Sequence, residues 1–110
     1  MGTIGSEQQG TQLASLSPSD LDLAWAAGFL EGEGCFTYCG HSQQVIVTQN
    51  EKDPLFRLQE MFGGSVRPRT DKNTNRWYVA GSRARGVMMT MYNLMGERRK
   101  GQIRRALEGW

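Results

Sequence analysis

From residue 17 to residue 107 the apolar positions switch between helical and strand spacing. Ser17-Pro18-Ser19-Asp20 predicts a helix start, with Ser17 as N-cap, Pro18 at the first helical position and Asp20 in the first turn. That helix is expected over Pro18–Glu31, ended by Gly32 and Gly34. CFTYC (Cys35–Cys39) and SQQVIVTQ (Ser42–Gln49) read as two strands joined at Gly40-His41. A short helix is predicted from Pro54 to Phe62, with Leu55, Leu58, Met61 and Phe62 on one stripe, and Gly63-Gly64 stop it. Ser65–Thr70 and Arg76–Ala80 form a second hairpin, in which Pro68 marks an edge position or a bulge. Ser82 is expected to cap a helix from Arg83 to about Met95, with Val87, Met88, Met91, Leu94 and Met95 inward. After Gly96 a basic helix runs from Glu97 to about Leu107.

The order α-β-β-α-β-β-α-α gives an α+β class: a four-stranded antiparallel sheet covered by helices on one face. Residues 1–16, rich in Gly, Ser, Thr and Gln, read as a flexible N-terminal tail, and 17–110 as a single domain. Strand alternation sends Phe36, Tyr38, Val66, Pro68, Trp77 and Val79 toward the helices. Thr37, Cys39, Ser42, Gln44, Ile46, Thr48, Arg67, Arg69, Arg76 and Tyr78 are left on the opposite face.

Composition narrows the class. The chain has 110 residues, 38% hydrophobic and 22% charged, which suits one globular domain. No apolar run approaches the roughly 18 residues of a membrane span, and the first twenty residues hold no Lys or Arg to open a signal peptide. Cys35 and Cys39 lie too close in sequence to staple a fold, and with His41 the only histidine a Cys/His zinc site lacks ligands. The net charge of +2 hides a division. Residues 1–51 carry six acids and no Lys or Arg, whereas 52–110 carry all 13 basic residues, ten of them arginine, against five acids. An arginine-rich half points to a polyanion partner.

The first helix carries the candidate chemistry. Ala24, Gly28 and Gly32 lie four apart, a stripe without side-chain bulk that admits a second helix or a closely packed sheet. Glu31 and Glu33 follow at its electronegative end and need a compensating cation; converging oxygen ligands there suit Mg2+.

Ala26–Gly34 (AAGFLEGEG) resembles the signature of the LAGLIDADG homing endonucleases, with Glu in place of both usual Asp. The resemblance continues through Val47-Thr48-Gln49, Phe62-Gly63-Gly64-Ser65-Val66, Trp77–Gly81 and the basic stretch Glu97–Ile103, covering about residues 18–107 in the family's order. It implies an αββαββα fold whose saddle-shaped sheet lies in the DNA major groove. One signature implies a homodimer on a pseudo-palindromic duplex site, with Ala24, Gly28, Gly32 and Glu31 at the helix-pair interface. Both strands are then cut with Mg2+ (Mn2+ or Ca2+ being able to occupy the site), leaving short 3′ overhangs. By position, Glu33 matches the metal-binding acid, and the Gly32 carbonyl a further metal ligand. Glu31 matches the more structural acid, and Gln49 the residue that orders the attacking water. Lys100, ahead of Arg98 or Arg99, matches the basic residue that stabilises phosphate charge. The outward strand residues above, with Lys72, Arg98 and Arg99, are the expected DNA contacts.

A LAGLIDADG-type DNA-binding or RNA-splicing (maturase) protein without nuclease activity is the alternative, because the same fold serves both; an α+β protein-interaction module is a more distant one. The expected location is intracellular: cytoplasmic and nucleoid-associated, or organellar or phage-encoded.

Overall fold

The computed structural model describes residues 19–70 and 73–108. Helix α1 (Asp20–Glu33) starts at Ser19, whose hydroxyl accepts from Asp22 N–H while the Asp22 carboxylate accepts from Ser19 N–H. This reciprocal cap satisfies two orphan donors and replaces the expected cap at Ser17. Ser17 and Pro18, the tail 1–16, and Lys72 lie outside the described residues. The helix also runs two residues past the expected end at Glu31, because Gly32 stays helical.

Helix then turns directly into strand. Gly34 donates its N–H to Leu30 O and begins β1 (Gly34–Cys39) at once. A Cβ on Gly34 would stand 2.8 Å from that same carbonyl, so only glycine fits this junction. Strand β2 (Ser42–Gln49), α2 (Asp53–Phe62), β3 (Ser65–Pro68), β4 (Asn75–Ala80), α3 (Gly81–Met91), a 3-10 turn (Tyr92–Leu94) and α4 (Glu97–Glu108) follow. The sheet is antiparallel with order β1-β2-β4-β3. The expected α+β architecture is thus the observed one.

The helix-facing side of the sheet holds Phe36, Val45, Val47, Trp77 and Val79, all buried against Leu30, Leu55, Leu58, Val87, Met88, Met91 and Ile103. Trp77, fully buried, donates Nε1–H to Gly63 O at 2.9 Å, which fixes the turn after α2. Gln43 shares this inner face and is only 1% exposed. Its amide donates to Ala106 O at 3.0 Å and its carbonyl accepts from Arg85 Nη1 at 3.0 Å. One buried amide, satisfied at both ends, therefore ties β2 to α3 and α4.

Four local expectations are corrected. No side chain caps α3, which begins at Gly81 after Ala80 rather than under Ser82. Leu94 is exposed, because the tighter 3-10 turn rotates it away from the face that Met91 and Met95 occupy. Pro68 has the expected edge position, pairing with Asn75 on β3 where its missing N–H costs no ladder bond, but it is exposed and not packed under the helices. Tyr38 is exposed as well, at the rim of an open groove it shares with Gln102, Arg105 and Ala106 of α4. Among the described residues no helix is long and apolar enough to cross a membrane.

Candidate nucleic-acid interface and acidic helix end

The face of the sheet away from the helices is a ledger of small, polar and basic groups. Register fixes its rows: Cys35, Ile46, Tyr78 and Ser65 form one, Thr37 and Gln44 pair in a second with Ala80, and Thr48, Arg76 and Arg67 form a third. Cys39 and Ser42 close the β1–β2 end. Among the described residues no strand contains Asp or Glu. Arg67 stands directly opposite Arg76, a like-charge pairing that destabilises a sheet unless an anion screens it. Arg69, just past β3, donates its backbone N–H to Thr74 O at 2.9 Å, so the hairpin is closed and its side chain joins the same basic cluster. Ser65, Arg67, Pro68, Arg69, Thr70, Arg76 and Tyr78 line an open groove of about 490 Å³. Among the described residues none of these three arginines has an ion-pair partner.

A second constellation sits where α1 ends. The Glu31 carboxylate accepts from Gly96 N–H at 2.7 Å, and so caps the start of α4. In return Arg99, on α4 and only 7% exposed, donates Nε–H to Glu31 O at 2.8 Å and Nη2–H to Gly32 O at 3.3 Å, while Nη1–H bonds Gln102 Oε1 at 3.0 Å. The guanidinium sits on two unpaired carbonyls at the negative end of the α1 dipole and offsets it there. Glu33, one residue on, is exposed and forms no hydrogen bond or ion pair among the described residues. Gly34 pairs with Val47, so Gln49, two residues further along β2, lies at the same end of the sheet, half-buried.

One expected contact changes. Arg99 is turned inward and held by three bonds, so it is no exposed phosphate contact. The Lys100 ammonium lies 3.9 Å from Glu97 Oε2 and 5.5 Å from the centre of the Tyr92 ring. Adjacent helical residues point about 100° apart, so only one of Arg98, Arg99 and Lys100 can face α1. The signal was in the sequence, since Arg99 shares the inward face of Ile103 and Ala106 at helical spacing. Arg98 and Arg105 are exposed, and Arg104 donates to the Tyr92 hydroxyl.

Along α1, Ala24, Gly28 and Gly32 are exposed, beside Leu21, which is 81% exposed. A Cβ added at Gly28 or Gly32 would meet nothing within 4 Å. The small-residue stripe is therefore not the face packed on the chain's own sheet; Ala26, Ala27 and Leu30 do that.

No family model matches the sequence, and no curated protein matches it. Solved structures do. The homing endonuclease I-CvuI, in complex with target DNA in the presence of Mg or of Ca, superposes with TM-score 0.66 at 22% identity, over 76% of this chain and 62% of its own. The fold is the LAGLIDADG fold. The homing endonuclease I-TnaI aligns with TM-score 0.59 at 19% identity, over 78% of this chain and 69% of its own. An archaeal intron-encoded homing endonuclease complexed with DNA aligns with TM-score 0.53 at 19% identity, over 68% and 54%. The chain thus spans about 62% of the length of I-CvuI.

Proposed function

We propose that the protein is a site-specific LAGLIDADG DNA endonuclease, acting as a homodimer on a pseudo-palindromic duplex and leaving short 3′ overhangs. The observation that carries this reading is the coexistence of two features on the LAGLIDADG fold. One is an acid-free sheet face with an unscreened arginine cluster; the other is a free carboxylate, Glu33, at the end of a helix with an open glycine stripe.

The sheet face supplies recognition. Arg67, Arg69 and Arg76 meet phosphates or guanine edges, and Thr37, Gln44, Thr48 and Tyr78 offer hydrogen-bonding groups to bases. Ile46, apolar and outward, suits a thymine methyl. Pairing of two α1 helices through Ala24, Gly28 and Gly32 brings two Glu33 carboxylates toward one another. Hard, unpaired carboxylate oxygens fit Mg2+, which keeps positions for water and substrate phosphate. Among the described residues no three His, Cys, Asp or Glu side chains converge in one chain, so the remaining ligands come from the second copy and the DNA. A divalent ion held by Glu33 and its copy would supply Lewis acidity and lower the pKa of a water. Gln49, at the same end of the sheet, would orient the attacking water by hydrogen bonding. Glu31 and Arg99 keep α1 and α4 in register.

The engaged Gly32 carbonyl favours one second reading, a DNA-binding or splicing relative without nuclease activity. Incubation with a randomised duplex library in Mg2+, followed by sequencing of cut ends, separates the two. Recovery of one conserved, two-fold symmetric cut site supports the nuclease; retention of specific duplexes without cutting supports the other.

A further inference from the structure

Strand β1 is an outer strand of the sheet, with β2 on one side and no strand on the other. The N–H and C=O groups on its free side are therefore open to a partner. Beyond β2, Cys35 to Cys39 make no further backbone hydrogen bond among the described residues. An open groove of about 490 Å³ runs along this edge, with Cys35 to Tyr38 as one wall and Gln102, Arg105 and Ala106 of α4 as the other. Its lining contains no carboxylate and is rich in donors. Gln102 gives its Oε1 to Arg99 at 3.0 Å, which leaves the NH2 end of the amide without an acceptor among the described residues. Arg105 is exposed and makes no ion pair or hydrogen bond among the described residues. Arg98, four residues before Gln102, lies on the same side of α4 and adds a second exposed guanidinium. Such a set fits an anion that presents several oxygens.

We propose that this groove takes a phosphate of the duplex backbone, with Arg105 as its charge partner, so that the nucleic-acid surface continues from the sheet face round the β1 edge onto α4. The inference rests on the DNA-binding reading of the sheet. Cys35 and Thr37 belong to both surfaces: they line the groove and stand in the outward rows of the sheet. The width of the sheet calls for such an anchor. Three strand spacings, about 14 Å, separate β1 from β3, whereas the major groove of B-DNA is about 12 Å wide. A sheet whose strands follow that groove carries at least one outer strand over a phosphate backbone. On its edge β3 carries Arg67, but β1 has no basic side chain, so there α4 supplies the charge. A phosphate contact positions the duplex and carries no sequence information, so Arg105 acts on affinity and not on specificity.

The test measures duplex affinity of the full chain by fluorescence anisotropy over a series of salt concentrations, with EDTA present so that no strand is cut. It uses a selected duplex and an unrelated one of the same length. Each phosphate neutralised adds about 0.9 to the slope of log affinity against log salt. Arg105→Ala is expected to lower the slope by about one unit, and affinity at about 0.15 M salt by about fivefold, equally on both duplexes. Arg105→Lys keeps the charge and should retain the slope. Arg57→Ala removes the same charge from α2, where Arg57 pairs with Asp22, and should leave the slope unchanged. Single phosphates of the duplex replaced by neutral methylphosphonates then locate the contact: at least one position should weaken wild type and leave Arg105→Ala unaffected. An unchanged slope in Arg105→Ala, an equal change in Arg57→Ala, or no methylphosphonate position that distinguishes the two proteins overturns the proposal and leaves the groove to another occupant, an extended acidic segment pairing with β1. A wild type without salt-dependent affinity for any duplex overturns the DNA-binding reading, and this proposal with it.

Discussion

Glu31 and Gly96, 65 positions apart, are joined by a 2.7 Å hydrogen bond from the Gly96 N–H to the Glu31 carboxylate. A Cβ at Gly96 would stand 3.3 Å from Glu31 Oε2, so glycine leaves the carboxylate just enough room. With Arg99 answering from α4 to the α1 carbonyls, each helix caps the other. Of the two acids of AAGFLEGEG, Glu31 is thereby engaged in structure, and Glu33 is left for the chemistry proposed above.

That division predicts opposite phenotypes. Glu31→Ala removes a charge-assisted cap and should lower stability by about 1–2 kcal/mol, read from urea or thermal unfolding. Glu33→Gln removes no contact, so stability should stay within about 0.5 kcal/mol of wild type. Cleavage should be lost in Glu33→Gln while duplex binding persists, because the proposed base and phosphate contacts lie on the sheet. Wild-type cutting by Glu33→Gln in Mg2+ would reject the catalytic assignment.

Gly28→Leu isolates the helix pairing. Gly28 is exposed and a Cβ there meets nothing within 4 Å in the single chain, so the monomer should fold normally. In a dimer it would separate closely packed helices at a cost of about 1–3 kcal/mol or more by overpacking. Sedimentation should show the wild type as a dimer and the variant shifted to monomer. A wild type that sediments as a monomer both free and on DNA would remove the dimer from the proposal.

The arginine cluster separates readout from positioning. An arginine bidentate to guanine contributes about 1–3 kcal/mol of discrimination. A phosphate contact instead weakens all sequences alike and reduces the salt slope by about one unit. Arg67→Ala and Arg69→Ala, profiled against every single-base variant of the selected site, should relax preference at one position per half-site for at least one of the two. Equal losses on all sequences would assign both to the backbone and move specificity to Thr37, Gln44, Ile46 and Thr48.

Gly64→Ala probes the turn under the basic hairpin. Gly64 has φ +93°, and a Cβ there would lie 2.4 Å from Val79 Cγ1 and 2.6 Å from Tyr78 O. Strain and overlap together should cost at least about 2 kcal/mol. The urea midpoint should fall with an unchanged slope.

Acid sensitivity at the start of α1 follows from Asp22. The Ser19 hydroxyl and N–H, with the Arg57 guanidinium, hold its carboxyl below the ordinary value of 3.8. A folded value below the unfolded one stabilises above the unfolded value and is lost as pH falls through the folded one. Melting curves of wild type and Asp22→Asn should therefore differ at neutral pH and converge on acidification below 3.8. A constant difference down to pH about 2 would rule this out.

The alternation of SQQVIVTQ and RWYVA by itself determined which strand residues leave the core, because successive side chains of a strand can only point to opposite faces. The glycine stripe and the acids after it were equally legible, being properties of spacing within one helix. Tertiary structure decided what lies at the helix ends. Ser19 rather than Ser17 caps α1, and α1 runs on to Glu33, since a boundary is set by which local bond closes and not by the apolar period. Arg99, and neither Arg98 nor Lys100, reaches the α1 carbonyls; its helical spacing with Ile103 and Ala106 marked it as inward, but only the packing of α4 against the end of α1 set what it meets there. The partnership of Glu31 with Gly96 depends on two helices meeting across the fold, a relation that no local pattern encodes.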